Sequence, residues 1–240
     1  MVARTIRALI MAGGRSDRMR VTSGVHKALM PFRGQPLIAH NLHALMKEGF
    51  RDVVVATSPL NPEIDIYLSG AGLQLAESFS ASLNWFKEET PLGTIGAAKL
   101  AAEGVDALLV INVDNLSTLP LGHFVEWHLQ RSSDFTIASH TESFRIPFGQ
   151  LVIQEDEVVA YLEKPAFPIP ISSGTYVLGP KAIATIEPGI RFDIPRLFET
   201  AKLARLKVCA FSHNCPWIDI NDEPALQRAD TLFSRSDVRN

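Results

Sequence analysis

Short apolar segments alternate with amphipathic ones along the first 140 residues. Buried strands are predicted at 5–11, 52–56 and 107–111, and the last of these is a continuous apolar run. Between the first two strands, apolar side chains recur at helical spacing from Leu37 to Met46, which predicts a helix beginning near Pro36. The pattern also predicts strands at 73–77 and 135–139 and helices at 94–103 and 121–131. This alternation predicts an α/β fold with a mostly parallel central sheet and helices on both faces.

After residue 140 the pattern changes. Two strands are predicted at 148–154 and 157–162, with Glu155-Asp156 at the turn, followed by a stiff loop containing three prolines and a strand at 175–178. The remaining predicted elements are a helix at 194–203, a strand at 206–211 and a last helix after 221–222. Since no linker or repeat interrupts the chain, we expect one domain over residues 1–240. Residues 1–140 would form a nucleotide-binding part and residues 141–240 a small antiparallel sugar-side region with a closing helix.

Composition excludes several classes of protein. The 240 residues are 46% hydrophobic, which excludes a disordered chain, and unbroken apolar runs do not exceed five residues, as in Ala8–Ala12. A membrane-spanning helix needs about 20 apolar residues, so no membrane partner is expected. A net charge of −3 argues against a nucleic-acid binder. Two cysteines, Cys209 and Cys215, are too few for a disulfide framework and favour a cytoplasmic protein with reduced thiols.

The first segment with chemical character is the glycine pair Gly13-Gly14 after the first strand. Two glycines there let backbone N–H groups approach an anion closely, and Arg18 and Lys27 add positive charge. A phosphate group is the ligand that such a turn favours, although a plain glycine turn remains an alternative. The segment is neither a Walker loop nor a dinucleotide fingerprint, because no Gly-Lys-Ser/Thr follows and the third glycine is missing.

Two carboxylates stand where strands end. Asp114 follows the run at 107–111, and the carboxyl edge of an open α/β sheet is where ligands bind. Asp219 lies between two isoleucines, where burying a carboxylate is costly unless it is hydrogen-bonded or binds a cation. Both could hold Mg²⁺ with substrate phosphates. The alternatives are a turn-capping role for Asp114 and a structural hydrogen bond for Asp219.

From Ile6 to about Phe233 the chain resembles the sugar-1-phosphate nucleotidyltransferases, also called nucleoside diphosphate-sugar pyrophosphorylases. Six motifs stand in the family's order. They are Gly13-Gly14 with Arg18 and Lys27, Pro91 to Gly96, Asn112-Val113-Asp114, Glu163-Lys164-Pro165, Ser173 to Tyr176 and Trp217 to Ile220. Pro147-Phe148-Gly149 also resembles the family's sugar-side glycine segment. The resemblance implies a Rossmann-like, GT-A-like nucleotidyltransferase fold.

The resemblance also implies a reaction, NTP + sugar 1-phosphate ⇌ NDP-sugar + pyrophosphate, with Mg²⁺ as cofactor and these two small molecules as the substrates. Asp114 and Asp219 would hold the metal, Arg18 would bind the leaving pyrophosphate, Lys27 would lie near the α-phosphate and Lys164 would hold the sugar phosphate. These five are the implied catalytic residues. The implied nucleotide-binding residues are Ala12, Gly13, Gly14, Arg18, Lys27, Pro91, Gly93, Thr94 and Asp114. The implied sugar-phosphate-binding residues are Gly149, Glu163, Lys164, Gly174 and Thr175.

Departures from the family pattern leave substrate identity open. Ala28 follows Lys27 where the family commonly has proline, and Ser172 replaces an asparagine. GTP or UTP is slightly favoured. The alternatives are CTP- or GTP-dependent transfer to a non-sugar phosphate or phosphonate, and a non-catalytic regulatory subunit of the same fold; a nicotinamide-binding oxidoreductase is disfavoured by the missing third glycine. Homo-oligomerisation stays open. We expect Glu88 and Glu89 to be a solvated pair, His26 to lie at the surface and Trp217 to belong to the core.

Overall fold

The computed structural model describes residues 4–14, 16 and 24–234. The strands are β1 (Ile6–Met11), β2 (Pro31–Phe32), β3 (Gln35–Pro36), β4 (Asp52–Thr57), β5 (Ser82–Lys87), β6 (Ala107–Asn112), β7 (Asn115–Ser117), β8 (Phe135–Arg145), β9 (Gln150–Gln154), β10 (Glu157–Leu162), β11 (Ala166–Leu178), β12 (Val208–Ser212) and β13 (Trp217–Asp219). The α-helices are α1 (Leu37–Lys47), α2 (Pro62–Tyr67), α3 (Leu73–Ser78), α4 (Ala98–Ala101), α5 (Leu121–Gln130), α6 (Pro180–Ala184), α7 (Ile194–Leu203) and α8 (Glu223–Ser234). Lys27–Leu29 is a 3₁₀ turn, and Leu68–Gly72 is a π-helical turn between α2 and α3.

Seven strands form the central sheet, in the order β12-β8-β11-β6-β1-β4-β5. Four of the six strand pairs are parallel, and only β11 runs antiparallel to its neighbours β6 and β8. The central strand β6 is a continuous apolar run, as expected for a strand that is covered on both faces. Its neighbour β1 is apolar except for Arg7, which pairs with Asp52 near the start of the strand. The predicted α/β fold with a mostly parallel sheet is confirmed.

The core lies in two layers, one on each face of the sheet. One layer joins β1 and β4 to α1 and α5, with Ile10, Leu42 and Phe124 fully buried. The other joins β6 to α4, α6 and α7 and includes Leu108 and Leu197. Helices on both faces therefore leave the ends of the strands as the accessible part of the sheet.

The predicted strand at 73–77 is wrong, because this segment is helix α3. Its Leu, Gln, Ala and Glu residues are all good helix formers, and the helical run through α2 and the π-turn continues into it. The strand that follows β4 in the sheet is β5, where Leu83 is buried and its two neighbours are exposed. Intrinsic helix propensity and continuity with the preceding helix outweigh the strand-like alternation of Leu73 and Leu75.

The helix predicted at 94–103 is also shorter than expected. Only Ala98–Ala101 is helical, because the N–H groups of Ile95 and Gly96 both donate to the carbonyl of Phe192, at 3.1 Å each. That pairing holds residues 93–97 as turns against the start of α7.

The three prolines expected in a loop stand beside or within β11. Because the N–H of Ile146 donates to the carbonyl of Pro165 (2.9 Å), residues 165, 167 and 169 direct their backbone groups toward β8. Pro168 and Pro170 therefore face the opposite edge, where a strand needs no N–H donor. The β8–β11 pair consequently continues past the sheet as far as Arg145 and Ala166.

We call residues 141–171 the β-arm: the outer parts of β8 and β11 together with the β9–β10 hairpin. The prediction of paired strands around Glu155-Asp156 is confirmed, and Glu157 pairs with Gln154 across that turn. Over the ranges that the structure covers, no helix is long and apolar enough to cross a membrane.

Candidate active site

The glycine turn after β1 closes one side of a cleft at the carboxyl edge of the sheet. The N–H of Ala12 donates to the carbonyl of Ala56 (2.9 Å), which fixes the end of β1. The carbonyl of Gly14 lies 3.2 Å from Nδ2 of Asn61 and 2.9 Å from Nε2 of His26. His26 is fully buried, so its expected surface position is wrong. Arg18, expected beside this turn, lies outside the described residues.

Lys27 and Asp114 meet in the same cleft. Lys27 opens the 3₁₀ turn, and its Nζ donates to Oδ2 of Asp114. The two side chains are only 23% and 10% exposed, so water screens this ion pair weakly. A cleft of about 230 Å³ lies between them and the glycine turn, and it is lined by Met11, Gly13, Gly14, Lys27, Glu88, Gly93, Thr94, Asn112 and Asp114. The structure thus brings together six of the implied nucleotide-binding residues.

Asp219 reaches the same edge through a two-stranded ladder. In the β7–β13 pair Asp219 lies opposite Asn115, and the N–H of Ile220 donates to the carbonyl of Asp114 (2.9 Å). The backbones that carry the two carboxylates are therefore neighbours, although 105 positions separate them in the chain. Oδ2 of Asp219 accepts a hydrogen bond from Nδ2 of Asn221 at 2.5 Å.

The carboxylates fit a hard divalent cation. In the part of the chain that the structure describes, no three His, Cys, Asp or Glu side chains form a metal-binding group. Mg²⁺ is commonly held by one or two carboxylates while substrate phosphates and water complete its octahedron. Asp114 and Asp219 on adjacent backbones match that donor set.

Glycine at position 174 is required by its surroundings. Gly174 has a φ of +66°, and a Cβ there would lie 2.1 Å from Nδ2 of Asn115 and 2.9 Å from Nδ2 of Asn112. Asn115 in turn donates to the carbonyl of Ser173 at 2.7 Å. These contacts seat the irregular segment of β11 directly against the strand that ends in Asp114. Thr175, which is paired with Ile111 and buried, continues this contact.

Sequence reasoning missed Glu88. Its side chain is 5% exposed, so the expected solvated pair with Glu89 is wrong. Oε2 accepts the N–H of Leu92 at 2.9 Å, whereas the buried Oε1 has no hydrogen-bond partner among the described residues. A Cβ at Gly13 would lie 2.6 Å from this oxygen, so the glycine leaves room for the carboxylate. Burial raises the pKa of Glu88, and the Leu92 N–H opposes that shift.

Asp193 holds the loop that carries Gly93 and Thr94. Its Oδ1 accepts the N–H of Thr94 (2.8 Å), and Oγ1 of Thr94 accepts the N–H of Ile194 (3.1 Å). Partial burial would raise the pKa of Asp193, but the Thr94 N–H and the nearby Arg191 guanidinium outweigh burial and lower it. Gly93 has a φ of +80°, and a Cβ there would lie 2.7 Å from the Phe192 carbonyl oxygen. Pro91 is exposed at the mouth of this loop.

The sugar-side residues divide into two groups. Gly174 and Thr175 lie at the cleft, whereas Gly149, Glu163 and Lys164 lie on the β-arm. The ammonium of Lys164 is 3.9 Å from Oε1 of Glu163, and both side chains are more than half exposed. Gly149 packs against Tyr161, whose hydroxyl would lie 2.0 Å from a Cβ at that position. At about 3.3 Å per step, the nine residues of β11 from Ala166 to Gly174 span about 26 Å.

A histidine cluster lies behind the cleft. Oγ of Ser173 is 3.1 Å from Nδ1 of His140 and 2.8 Å from Nε2 of His213. The indole of Trp217 stacks on His140 with ring centroids 4.3 Å apart and donates to the Ser173 carbonyl at 2.7 Å. Burial lowers the pKa of His213, and the neighbouring His140 lowers it further. Trp217 is only partly buried and packs on this cluster, so its expected place in the core is wrong.

Comparisons with known proteins agree with this geometry. The family model described as "Nucleotidyl transferase" matches residues 7–220. The mannose-1-phosphate guanyltransferase of Pichia angusta is 31% identical over 192 residues, which cover 76% of this chain and 52% of that protein. The mannose-1-phosphate guanylyltransferase catalytic subunit beta of Xenopus tropicalis is 27% identical over 228 residues, covering 90% of this chain and 61% of the relative. The chain thus spans about half to three-fifths of the length of these relatives.

Solved structures show the same architecture. A putative glucose-1-phosphate thymidylyltransferase from Bacillus anthracis, solved with a sucrose, superposes with a TM-score of 0.73 at 22% identity, over 95% of this chain and 94% of that one. HddC from Yersinia pseudotuberculosis complexed with GMP-PN gives a TM-score of 0.68 at 25% identity, over 95% and 99% of the two chains. The resemblance found in the motifs is therefore confirmed, and the chain belongs to the nucleotidyl transferase family.

Proposed function

We propose that this protein is a Mg²⁺-dependent sugar-1-phosphate nucleotidyltransferase that makes an NDP-sugar and pyrophosphate from an NTP and a sugar 1-phosphate. The observation that carries the proposal is the Lys27–Asp114 pair, which faces the Gly13-Gly14 turn across one cleft. A nucleoside triphosphate is bound by a cation, a metal-binding carboxylate and a backbone that can approach its phosphates closely. This cleft brings the three together.

The reaction needs positioning more than acid–base chemistry. The attacking phosphate oxygen of the sugar is already an anion, so no side chain has to remove a proton from it. Lys27 binds the α-phosphate and the Gly13-Gly14 backbone binds the nucleotide, which holds two mutually repelling anions in line. Asp114 and Asp219 would hold Mg²⁺, which would supply charge neutralisation at the reacting phosphate and the leaving group. The partly buried cleft strengthens each of these electrostatic contacts.

Glu88 favours GTP over UTP. The guanine edge presents two adjacent donors, N1–H and the exocyclic N2–H, and a carboxylate accepts both. Uracil presents one N–H between two carbonyl oxygens, which a carboxylate repels. Glu88 lines the cleft beside Gly13 and Gly93, and its buried Oε1 has no hydrogen-bond partner among the described residues. A guanine N–H would satisfy this oxygen once the side chain turns toward the cleft. The guanyltransferase relatives agree with this choice of base.

The identity of the acceptor substrate is the second question of specificity. Gly174 and Thr175 bring backbone to the cleft beside Asp114. Lys164 lies on the β-arm away from the cleft, so its role at the sugar phosphate requires the arm to bend toward Asp114 when the acceptor binds. A non-sugar phosphate or phosphonate would meet the same groups, and substrate profiling separates the two. Retention of Lys27, Asp114 and Asp219 argues against a non-catalytic subunit, which has no need of a desolvated charge pair.

A screen for pyrophosphate release tests the proposal. Each common NTP is combined with a panel of sugar 1-phosphates and with phosphonate acceptors, in Mg²⁺ and again in excess chelator. We expect pyrophosphate with GTP and a hexose 1-phosphate, and none with chelator. Release that needs no sugar phosphate, or that survives chelation, would contradict the assignment.

A further inference from the structure

One peptide of the glycine turn is held from inside the protein. The carbonyl oxygen of Gly14 lies 2.9 Å from Nε2 of His26 and 3.2 Å from Nδ2 of Asn61. His26 is fully buried and Asn61 is 1% exposed, whereas Gly14 itself lines the cleft. Neither of the two side chains is among the residues that line it. The Gly14 carbonyl is therefore directed into the protein and away from the cleft.

The hydrogen bonds of His26 fix where its proton lies. The N–H of Ala28 donates to Nδ1 of His26 at 3.1 Å, so Nδ1 presents a lone pair. Since a neutral imidazole carries its proton on the other nitrogen, Nε2 donates to the Gly14 carbonyl. A buried ring with both nitrogens satisfied in this way has one tautomer and one orientation. His26 thus presents Gly14 with a donor of fixed direction.

The same histidine is joined to the lysine of the cleft. His26 caps the 3₁₀ turn that begins at Lys27. The N–H of Lys27 donates to Oγ of Ser16, two residues after Gly14, at 3.2 Å. Two hydrogen bonds, from His26 to Gly14 and from Lys27 to Ser16, therefore join the backbone that carries Lys27 to the glycine turn. These contacts set the distance between the two phosphate-binding groups of the cleft.

An anion-binding turn depends on the direction of its carbonyls. Backbone N–H groups attract a phosphate, whereas a carbonyl oxygen directed at the phosphate repels it. Glycine populates both signs of φ about equally, so the Gly13-Gly14 backbone does not select one orientation by itself. A Cβ at Gly14 would meet no described atom within 4 Å, so packing around the Cα does not select one either. The two donors on the Gly14 carbonyl decide its orientation.

We infer that His26 is a positioning residue for the nucleoside triphosphate, and that it acts with Asn61 by keeping the Gly14 carbonyl out of the phosphate cleft. This inference rests on the nucleotide-binding function proposed above. It adds to that function a residue that contacts no substrate group and acts through the glycine turn.

Two amide substitutions separate the two nitrogens of His26. The side-chain amide of Gln reaches about as far as the imidazole Nε2, so His26→Gln keeps a donor for the Gly14 carbonyl and loses the acceptor for Ala28. The oxygen of Asn takes the place of Nδ1, so His26→Asn keeps that acceptor and loses the donor. We expect the KM for GTP to rise about tenfold or more in His26→Asn and less than about threefold in His26→Gln. The kcat of both variants should stay within about threefold of wild type, because the residue acts on binding.

His40→Asn is the matched control. Nε2 of His40 is 2.8 Å from the carbonyl of Phe32, which is the same kind of contact outside the cleft. This variant should keep the wild-type KM for GTP. Thermal melting of each variant separates a loss of stability from a loss of nucleotide binding. Asn61→Leu, which removes the second donor, should also raise the KM for GTP, and it decides the question should His26→Asn fail to fold.

Calorimetric titration with inorganic tripolyphosphate in Mg²⁺ removes the base from the measurement. We expect the same order of affinity, with His26→Gln close to wild type and His26→Asn about tenfold weaker. Wild-type affinity and KM in a folded His26→Asn, or equal losses in His26→Asn and His26→Gln, would overturn the inference and leave the proposed function intact. A wild-type protein that turns over no NTP and binds no tripolyphosphate would contradict the proposed function, and the inference with it.

Discussion

Lys27 and Asp114, 87 positions apart in sequence, form an ion pair at the mouth of the candidate active site. The pair holds in place the cation expected at the α-phosphate and one of the two carboxylates expected to bind the metal. Asp114→Asn should leave the fold intact and lower kcat by at least about 10²–10³, the cost of removing one preorganised charged group. Pyrophosphate release at saturating Mg²⁺ measures it.

Asp52→Asn is the matched control for that variant. Asp52 opens β4 and pairs with Arg7 (2.9 Å), at the opposite edge of the sheet from the cleft. It should retain wild-type kcat. Near wild-type turnover of Asp114→Asn would rule out the metal assignment.

Glu88→Gln separates base selection from stability. The variant should lower kcat/KM for GTP by about 10–150-fold, corresponding to the ~1.5–3 kcal/mol of hydrogen bonds to a charged group. It should also raise the Tm of the ligand-free protein at neutral pH, because burial raises the pKa of Glu88 and the ionised form is therefore unfavourable there. Glu89→Gln, at the exposed neighbouring position, should change neither property. Unaltered preference among GTP and UTP in Glu88→Gln would refute the base assignment.

Gly93→Ala tests the contact between the base-side loop and α7. Gly93 and Gly189 have similar positive φ values, +80° and +75°, but only Gly93 has backbone within 3 Å of an added Cβ. Gly189→Ala should therefore cost only the left-handed conformation, about 1–2 kcal/mol. Gly93→Ala should cost about 1–3 kcal/mol more from steric overlap and raise the KM for the nucleotide. Urea unfolding and steady-state kinetics measure the two effects; equal costs at both positions would contradict this account.

Lys164→Ala tests the role of the β-arm in acceptor binding. We expect KM for the sugar phosphate to rise by about 10–150-fold, equivalent to ~1.5–3 kcal/mol for a charged hydrogen bond, with the KM for the NTP unchanged. Lys181→Ala removes another exposed lysine, paired with Asp134 at 3.5 Å, and serves as the control. An unchanged acceptor KM and kcat would exclude this role.

His128 predicts how stability depends on pH. Its Nδ1 lies 2.8 Å from Oγ1 of Thr136, and burial lowers its pKa to about 4, with Asp134 opposing the shift. The unfolded chain binds a proton near pH 6.5 and the folded chain does not, so stability is retained above pH 6.5 and falls as pH drops toward 4. The loss should reach about 2–3 kcal/mol.

The matched pair for this prediction is His128→Gln and His123→Gln, two substitutions on the same helix. The exposed His123 should leave the pH dependence as in wild type, whereas His128→Gln should remove most of it. Urea titrations at pH 8, 6 and 4.5 compare them. The same slope in both variants would show that another group carries the effect.

The sequence predicts those parts of the fold in which one kind of signal dominates. β6 is a continuous apolar run covered on both faces, β1 is apolar except for Arg7, and α1 has one buried stripe. The segment 73–77 misleads because isolated leucines suit either structure, and tertiary continuity with α2 decides the outcome. The outer part of β11 could not be predicted, because whether proline is tolerated in a strand depends on which edge it faces.

The same dependence on tertiary context limits what the sequence predicts about the candidate site. Asp114 was found because it follows a recognised strand, and Glu88 follows β5 in the same way. Since that strand was misplaced, the position of Glu88 at the carboxyl edge went unnoticed, and two adjacent glutamates suggested only solvent exposure. The pairing of Ser173 with His140 and His213 had no local sequence signal, because three distant segments converge there.

The carbonyl of Ser173 accepts hydrogen bonds from Nδ2 of Asn115 and from the Trp217 indole N–H, at 2.7 Å each. The Ser173 peptide of β11 thus connects β7, which follows Asp114, with β13, which ends in Asp219. Ser173 also lies where β11 passes from the central sheet into the β-arm, so bending of the arm would act on this peptide. Bending of the arm would therefore strain a peptide that is hydrogen-bonded to both strands next to the carboxylates expected to bind the metal.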